Sequence, residues 1–375
     1  MNTNNAHGAH REARSPRPNA ERARRITEEL ASTAKVPGMS IAVANPEGVL
    51  YAGAVGYADL AERRESTVED QYPWFSMTKI ATATAAVRLH SEGQLDLDAP
   101  IGTYLPWYRP HPKHGHPTTR QLLTHTAGLG NPLPIRWVRP EGQPEDPTLF
   151  NRVLEKHGVP KRPVGDRAAY SNIGYLLAGE VIQAVTGRSV QESARDAVLK
   201  PLGMNTTGYA YRAAEPRATG YVRIHSTLVP VLRRLLPEGI VGQRVDGHTA
   251  LRPFLVSGAA YGGLVGTVTE AAKLAAAHAA NQFDVHPVLR HGDIETMRTI
   301  AAHGRRFDHG IGWFRKPADA HRTPAFVEHY GTGLGFWNAM RVYPESRLAM
   351  VAMTNTTYKW DFNKLFTQLK DLPWH

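Results

Sequence analysis

Strand-like segments occur at both ends of this 375-residue chain, and helical patterns lie between them. The strand patterns alternate or run apolar between turn residues, at residues 38–44, 49–57, 309–314, 325–330, 336–343 and 347–354. Strands so far apart in sequence share one core when the two ends of the chain pair in a single sheet. The sequence therefore predicts an α/β (α+β) fold, in which an antiparallel sheet built from both termini is flanked by helices.

The helical patterns predict how the chain divides into domains. They cover residues 21–32, 76–93, 172–186, 189–199 and 270–281, and a last one begins near residue 361. Gly187 follows the third pattern as a helix C-cap. We predict a disordered basic tail at residues 1–20, an α/β sandwich domain at residues 21–95 and 251–375, and an inserted all-helical domain at residues 96–250.

Charge and composition exclude several kinds of protein. The net charge is +10, but the basic residues are dispersed and not interleaved with aromatic residues, so we expect no nucleic-acid partner. The absence of cysteine excludes disulfides and a cysteine nucleophile. No apolar run approaches the length of about 20 residues that a membrane helix needs, and the N-terminal residues lack the apolar core of a secretory signal. We therefore expect a cytoplasmic protein with no membrane partner.

The segment WFSMTKIATATAAVRLHSEG places Ser76 and Lys79 at the start of a predicted helix. Residues at positions i and i+3 emerge on the same helix face, so the two side chains are close together. A serine hydroxyl is a weak nucleophile that needs a base within hydrogen-bond distance. A lysine that is desolvated beside a positive helix N-terminus has a lowered pKa and can take that proton. Alone, the spacing also fits a serine N-cap and a surface lysine.

Two later segments add residues with compatible chemistry. In YSN, which opens the next long helix, Tyr170 can relay a proton and Asn172 can orient a lysine or hold an acyl group, although the segment alone is a helix cap. In EHYGTGLGF, His329 and Gly331 lie at a strand end, where glycine lets the backbone approach a ligand. The next amide, of Thr332, can point at an oxyanion. Alone, this segment is a glycine-rich hairpin.

The motif order SxxK, YxN and HxG resembles the serine β-lactamase and penicillin-binding protein superfamily. Flanking segments such as VPGMSIAV, LLTHTAGL, PLGMNTT and YGGLVGTVTEAAKL are similar to its class C β-lactamase, esterase and DD-peptidase branch, and the resemblance extends from about residue 21 to the end. It implies a β-lactamase/transpeptidase-like fold with the site in the cleft between the two domains, and no cofactor or metal. The roles that it implies are catalytic for Ser76, Lys79 and Tyr170, substrate-binding for Asn172, His329, Tyr330 and Gly331, and an oxyanion hole of the backbone amides of Ser76 and Thr332.

The third motif departs from the usual pattern of this superfamily. Tyr330 stands where a threonine or serine is usual, so the small hydroxyl that would help to hold a substrate carboxylate is missing. His329 is also a weaker permanent positive charge than lysine. Esters, amides or other acyl donors without that carboxylate are therefore favoured.

The sequence thus predicts a serine hydrolase that forms a covalent acyl-serine intermediate with a small-molecule acyl substrate. A carboxylesterase-like enzyme is the first choice. A DD-peptidase or β-lactamase, an acyl transferase of secondary metabolism, and a non-catalytic ligand-binding protein on the same fold remain open, as does the oligomeric state. The histidines in RPHPKHGHPTTR are predicted to lie in a loop rather than a metal site, because no carboxylate is nearby.

Overall fold

The computed structural model describes residues 18–284, 287–358 and 360–374. The predicted disordered tail lies outside the described residues, except for residues 18–20, which begin the first helix. In this part of the chain the α-helices are α1 (Pro18–Ala34), α2 (Thr78–Ser91), α3 (Thr119–Leu123), α4 (Leu149–His157), α5 (Asn172–Thr186), α6 (Val190–Ala194), α7 (Val229–Leu235), α8 (Ala259–Gly262), α9 (Val268–Ala277), α10 (His291–Arg298) and α11 (Phe362–Lys370). Each of these helices is too short or too polar to cross a membrane.

The strands of the same residues are mostly short outside the two ends of the chain. They are β1 (Gly38–Asn45), β2 (Gly48–Asp59), β3 (Arg64–Glu65), β4 (Tyr72–Pro73), β5 (Val138–Pro140), β6 (Gly220–Val222), β7 (Val241–Val245), β8 (His248–Leu251), β9 (Phe254–Val256), β10 (Val265–Gly266), β11 (Asp308–His309), β12 (Phe314–Arg315), β13 (Val327–Gly333), β14 (Phe336–Tyr343) and β15 (Leu348–Thr354).

Within the described residues, eight strands form one sheet in the order β11-β12-β13-β14-β15-β1-β2-β3. The two ends of the chain meet where β1 pairs antiparallel with β15, with Met39 opposite Thr354 and Ala44 opposite Ala349. The neighbouring pairs are also antiparallel. The predicted sheet built from both termini is therefore confirmed.

The sheet buries both faces because its central strands are apolar at successive positions. Along β1, Met39, Ile41 and Val43 pack in one core with residues of α1 and α11. Ala42 and Ala44 pack on the other face, in a second core with residues of α2 and α9. Since side chains alternate across a strand, odd and even positions serve the two layers of helices. The sandwich of helices around an antiparallel sheet follows from this pattern.

The inserted region is not all-helical, so that part of the prediction is wrong. It contains α3 to α7, but β6, β8 and β7 form a three-stranded antiparallel sheet within it. The β7–β8 hairpin turns at Asp246 and Gly247, which have φ of 48° and 78°. Asp-Gly at such a turn is a strong hairpin signal that the helical interpretation overlooked. The domain boundaries near residues 96 and 250 stay a prediction.

The predicted strand at residues 309–314 is two short strands, β11 and β12, that pair antiparallel. Gly310 and Gly312 lie in the turn between them. Gly312 has a φ of 80°, and a Cβ on Gly310 would lie 2.4 Å from the carbonyl oxygen of Met297. The glycines allow a turn where the alternation of apolar residues suggested one continuous strand.

Candidate active site

Ser76 lies in a single 3₁₀ turn, Phe75–Met77, that leads directly into α2. The turn holds Phe75 at a φ of 46°, in the left-handed region that non-glycine residues seldom adopt and that often occurs at functional sites. Hydrogen bonds to the backbone of Leu264 anchor the segment on both sides, because the Trp74 amide donates to the Leu264 carbonyl at 2.8 Å and Thr78 Oγ1 accepts from the Leu264 amide at 3.1 Å. The half-buried Ser76 side chain is thus fixed at the N-terminal end of a helix.

Lys79 is fully buried one turn beyond Ser76. Its Nζ lies 3.0 Å from Ser76 Oγ and donates to Asn172 Oδ1 and to the Tyr261 carbonyl oxygen, both at 2.9 Å. No carboxylate among the described residues forms an ion pair with it. Burial without a counter-charge lowers the pKa of Lys79 well below its ordinary value of 10.5. The desolvated lysine of the sequence prediction is therefore present next to Ser76.

The three oxygens around Lys79 suit both of its protonation states. A neutral amine has two N–H donors and one lone pair. The carbonyl oxygens of Asn172 and Tyr261 can only accept, so they take the two N–H groups and the lone pair faces Ser76 Oγ. After proton uptake, the ammonium group has three N–H donors for the same three oxygens. Lys79 can gain or lose a proton without losing either carbonyl hydrogen bond.

Tyr170 and Asn172 reach the site from the start of α5. The Tyr170 O–H donates to Ser76 Oγ at 2.7 Å, and burial raises the pKa of this phenol well above its ordinary value of 10. Ser171 is the N-cap, accepting from the Gly174 amide with its side chain. The Asn172 amide donates to Asn131 Oδ1 at 3.0 Å. The YSN segment therefore caps α5 and also contributes Tyr170 and Asn172 to the group of side chains around Ser76 and Lys79, which we call the Ser76 cluster.

Strand β13 packs directly against the turn that carries Ser76. A Cβ on Gly331 would lie 2.0 Å from the Trp74 carbonyl oxygen, and a Cβ on Gly333 would lie 2.0 Å from the Phe75 ring. Only glycine permits this approach at both positions. Thr332 lies between the two glycines, opposite Trp337 in the β13–β14 hairpin. Its amide as part of an oxyanion hole with the Ser76 amide stays a prediction.

His329 is buried on β13 and carries no charge. Its Nδ1 donates to the Tyr330 carbonyl oxygen at 2.8 Å, because a carbonyl can only accept, and Nε2 has no partner within the described residues. Burial lowers the pKa of His329 well below its ordinary value of 6.5. The position that the resemblance assigned to a lysine or histidine is a neutral imidazole near Tyr170.

The structure does not bring the Tyr330 side chain to Ser76. Tyr330 alternates with His329 along the strand, so it lies on the opposite face of the sheet. There its ring packs 4.8 Å from the ring of Phe362 on α11, and its O–H donates to the carboxylate of Glu328. The sequence predicts that this side chain binds substrate, but the face of the sheet on which it packs does not bring it to Ser76.

Two groups at the site were not identified from the sequence. The Tyr261 carbonyl is a backbone acceptor for Lys79, and no side-chain pattern signals such a contact. His125, in the segment LLTHTAGL, has a φ of 60° and accepts from the Ser171 amide at 3.1 Å. Its ring lies 4.5 Å from the Tyr170 ring. Through these contacts of His125, the segment LLTHTAGL helps to hold Tyr170 in place. The resemblance to the superfamily did not specify this role.

The described ranges contain no group of three or more histidine, aspartate or glutamate side chains close enough to hold a metal ion. In the histidine-rich loop, the rings of His111 and His114 stack with their centroids 4.3 Å apart. The cavities beside Trp107 and beside Tyr211 lie apart from Ser76 and have no contact with it.

Comparison with known proteins identifies the family to which this cluster belongs. Residues 23–372 match the family model described as Beta-lactamase. The chain belongs to the beta-lactamase family. Among its relatives, esterase EstB of Burkholderia gladioli is 26% identical over 368 residues, which cover 90% of each protein. Penicillin-binding protein 4* of Bacillus subtilis (strain 168) is 25% identical over 87% of this chain and 71% of that protein.

Solved structures of this beta-lactamase-family fold resemble the chain over nearly its whole length. The D-amino acid amidase from Ochrobactrum anthropi SV3, in complex with L-phenylalanine, has a TM-score of 0.75 and 24% identity, covering 93% of this chain and 97% of that one. A likeness at this identity shows the fold alone. The expected β-lactamase/transpeptidase-like fold is thereby confirmed.

Proposed function

We propose that this member of the beta-lactamase family is a carboxylesterase-like serine hydrolase, which forms an acyl-Ser76 intermediate with small acyl esters or amides. The observation that carries the proposal is the placement of Ser76 Oγ between Lys79 Nζ at 3.0 Å and the Tyr170 O–H at 2.7 Å. A nucleophile in contact with both a base and an acid is the arrangement that acyl transfer requires.

In the first step, neutral Lys79 takes the proton of the Ser76 hydroxyl while Oγ bonds to the carbonyl carbon of the substrate. The carbonyl π electrons move to oxygen, where the amides of Ser76 and Thr332 are the proposed donors. When the tetrahedral intermediate collapses, the bond to the leaving group breaks and its oxygen or nitrogen takes a proton from Tyr170. The Lys79 ammonium returns a proton to Tyr170.

Deacylation repeats these transfers with water as the nucleophile. Water loses a proton to the Lys79–Tyr170 pair as it attacks the acyl carbon, and Ser76 Oγ recovers a proton as the leaving group. The two carbonyl hydrogen bonds of Lys79 are kept throughout, so little reorganisation of the site is needed. An alcohol or amine in place of water would give acyl transfer instead of hydrolysis.

Two features support esters over substrates that carry a carboxylate. His329 is neutral, since burial lowers its pKa, and the Tyr330 hydroxyl lies on the other face of the sheet with Glu328. Neither residue offers the cationic or hydroxyl group that would bind an anionic terminus. The similarity to an esterase over 90% of both proteins supports the same choice.

The test compares wild type with two serine variants, using p-nitrophenyl acetate as the probe. Ser76→Ala removes the nucleophile, and Ser346→Ala changes an exposed serine in the turn between β14 and β15. We expect wild type and Ser346→Ala to release nitrophenol and to carry one acetyl group in intact-protein mass spectra. Ser76→Ala should do neither. A silent wild type, or acetylation of Ser76→Ala, would overturn the proposal, and faster turnover of a chromogenic cephalosporin would favour the β-lactamase alternative.

A further inference from the structure

An exposed apolar surface with arginines at its edge lies outside the Ser76 cluster. We call it the mouth patch and define it by the apolar residues Leu133, Ile135, Leu228, Val231 and Leu235 and the basic residues Arg136, Arg233 and Arg234. Leu133 is 80% exposed and Val231 is 53% exposed. Apolar side chains that are grouped and exposed in this way are typical of binding surfaces.

The mouth patch borders the site because both ends of residues 131–137 contact partners of Lys79. At one end, Asn131 Oδ1 accepts from the Asn172 amide at 3.0 Å. At the other end, the ring of Trp137 lies 5.6 Å from that of Tyr261. Asn172 and Tyr261 are the two residues whose carbonyl oxygens bind Lys79. Leu133 and Ile135 lie between these two anchors.

Arg136 joins this segment to α7. Its guanidinium donates to the Arg234 carbonyl oxygen at 3.1 Å and to the Leu235 carbonyl oxygen at 3.3 Å. These carbonyls are at the C-terminal end of α7, where a cation is favoured by the helix dipole. The exposed apolar residues of α7 and those of residues 131–137 therefore form one surface.

Helix α7 and the two residues that flank it carry two apolar rows, of which one has no partner within the described residues. Val229 and Leu236 are buried, and Leu232 packs against the core that contains residues of α2 and α9. A second row has the spacing i, i+3 and i+7, which places its members on one face, and consists of Leu228, Val231 and Leu235. A row of aliphatic residues at helical spacing that faces solvent is available for a partner.

The charges of the mouth patch favour an anionic lipid surface over a second copy of the chain. Arg233 and Arg234 are exposed, and neither forms an ion pair within the described ranges. Glu238 is the acidic residue closest to them along the chain. A symmetric contact between two copies would bring these arginines together, whereas aliphatic residues flanked by arginines match a bilayer with anionic headgroups.

We propose that the mouth patch docks the protein on an anionic lipid–water interface, so that an ester held at that interface faces Ser76. The docking rests on the mouth patch alone, and the delivery of an ester rests on the proposed function. The expectation from composition was a protein without a membrane partner. A peripheral contact needs no spanning helix, and the local surface can provide it where the average composition does not.

Vesicle sedimentation tests the docking apart from catalysis. The probes are vesicles of phosphatidylcholine alone and of an equimolar mixture of phosphatidylcholine and phosphatidylglycerol. Wild type and Ser76→Ala should bind the mixed vesicles equally. Val231→Asp with Leu133→Asp should weaken binding about tenfold or more, while Phe283→Asp, at another residue that is 84% exposed, should have no effect.

A second pair of variants tests the charges. Replacement of Arg233 and Arg234 by glutamine should weaken binding to the mixed vesicles about fivefold for each arginine. The matched pair Arg22→Gln and Arg25→Gln changes two exposed arginines of α1 and should not weaken binding to the mixed vesicles. Absent vesicle binding, or binding that the mouth-patch variants do not change, would overturn the docking. A dimer that the same variants dissociate would assign the mouth patch to self-association instead.

The two proposals can fail separately. If vesicle binding is absent while wild type is acetylated at Ser76, the docking is wrong and the hydrolase stands. If Ser76→Ala and wild type bind vesicles but no acyl-enzyme forms, the docking stands and the hydrolase is wrong. If both hold, hydrolysis of a long-chain p-nitrophenyl ester in mixed vesicles should be faster for wild type than for Val231→Asp with Leu133→Asp, with equal rates on p-nitrophenyl acetate.

Discussion

Tyr170 donates its phenol O–H to Ser76 Oγ at 2.7 Å, although the two residues are 94 positions apart in the sequence. The hydrogen bond links the start of α5 with the start of α2, so the two helix N-termini meet at one hydroxyl. Lys79 Nζ approaches the same oxygen at 3.0 Å. Burial lowers the pKa of Lys79 and raises that of Tyr170, so Ser76 Oγ has one partner that gives up its proton more readily than an exposed lysine and one that keeps its proton, and the following predictions depend on that division.

Tyr170→Phe should lower kcat for p-nitrophenyl acetate by about 10²- to 10⁴-fold, the range for loss of a general acid or base. The ring contact with His125 at 4.5 Å would be kept, so the loss would belong to the O–H group. Steady-state kinetics measure it. Tyr108→Phe is the matched control, because the Tyr108 O–H donates to the Gly158 carbonyl oxygen away from the site. Equal activity of Tyr170→Phe and wild type would contradict a proton-transfer role.

Lys79→Met should slow the acylation of Ser76 by about 10²- to 10⁴-fold or more. Methionine fills a buried site of similar length but cannot accept a proton. Stopped-flow release of nitrophenol measures the acylation rate. Lys273→Met is the control, since Lys273 also donates to a backbone carbonyl, that of Gly203 at 2.8 Å. Rapid acylation of Lys79→Met, with its fold intact by circular dichroism, would exclude Lys79 as the base.

The pH dependence of kcat/KM follows from the two pKa shifts. Burial lowers the pKa of Lys79 below 10.5, so the active neutral amine is lost only as pH falls through that lowered value. Burial raises the pKa of Tyr170 above 10, so its proton is kept as pH rises. We expect kcat/KM to rise with pH along one ionisation and then to stay level up to about pH 10, the ordinary tyrosine value. A fall between pH 7 and 9 would contradict this assignment.

Three buried histidines should make the fold sensitive to acid. Burial lowers the pKa of His309 to about 4 and those of His125 and His329 well below 6.5. Below pH 6.5 the unfolded chain binds protons that the folded protein does not, so the free energy of unfolding falls as pH falls. Each histidine contributes a slope of about 1.4 kcal/mol per pH unit until its folded pKa is reached.

Urea denaturation between pH 7 and 4.5 measures that slope. His309→Phe keeps a ring of similar volume and should reduce the slope by about 1.4 kcal/mol per pH unit. His321→Gln, an exchange at an exposed residue, should leave it unchanged. Identical slopes for wild type and His309→Phe would show that His309 takes up its proton in the folded protein.

Gly331→Ala should damage both stability and activity. Its Cβ would lie 2.0 Å from the Trp74 carbonyl oxygen, so β13 and the Ser76 turn would have to separate, at a cost of about 1–3 kcal/mol. Thermal unfolding and kcat measure the two effects. Gly292→Ala should cost nothing, because no heavy atom outside the adjoining residues and the backbone of the same helix lies within 4 Å of the added Cβ. An active and fully stable Gly331→Ala would mean that the close packing is not needed for Ser76.

Local patterns in the sequence were sufficient to predict most of the long helices and strands and the chemistry of the motif side chains. The 3.6-residue period and Gly187 predicted α5 with its observed bounds, Asn172–Thr186. The i, i+3 spacing placed Ser76 and Lys79 on one helix face. Such features depend on residues within one or two turns of each other, so a short stretch of sequence contains them. The same logic failed where glycines divide β11 from β12 and where an Asp-Gly turn forms a hairpin in the inserted region.

Tertiary structure alone decided the properties that depend on distant neighbours. The lowered pKa of Lys79 comes from burial beneath Tyr170, Asn172 and Tyr261, which are far from it in sequence. The register of β13 turns His329 toward the site and Tyr330 away from it. The two segments of the mouth patch are far apart in sequence and are joined by the hydrogen bonds of Arg136. Desolvation and packing are sums over groups that the fold assembles, and a linear motif does not contain them.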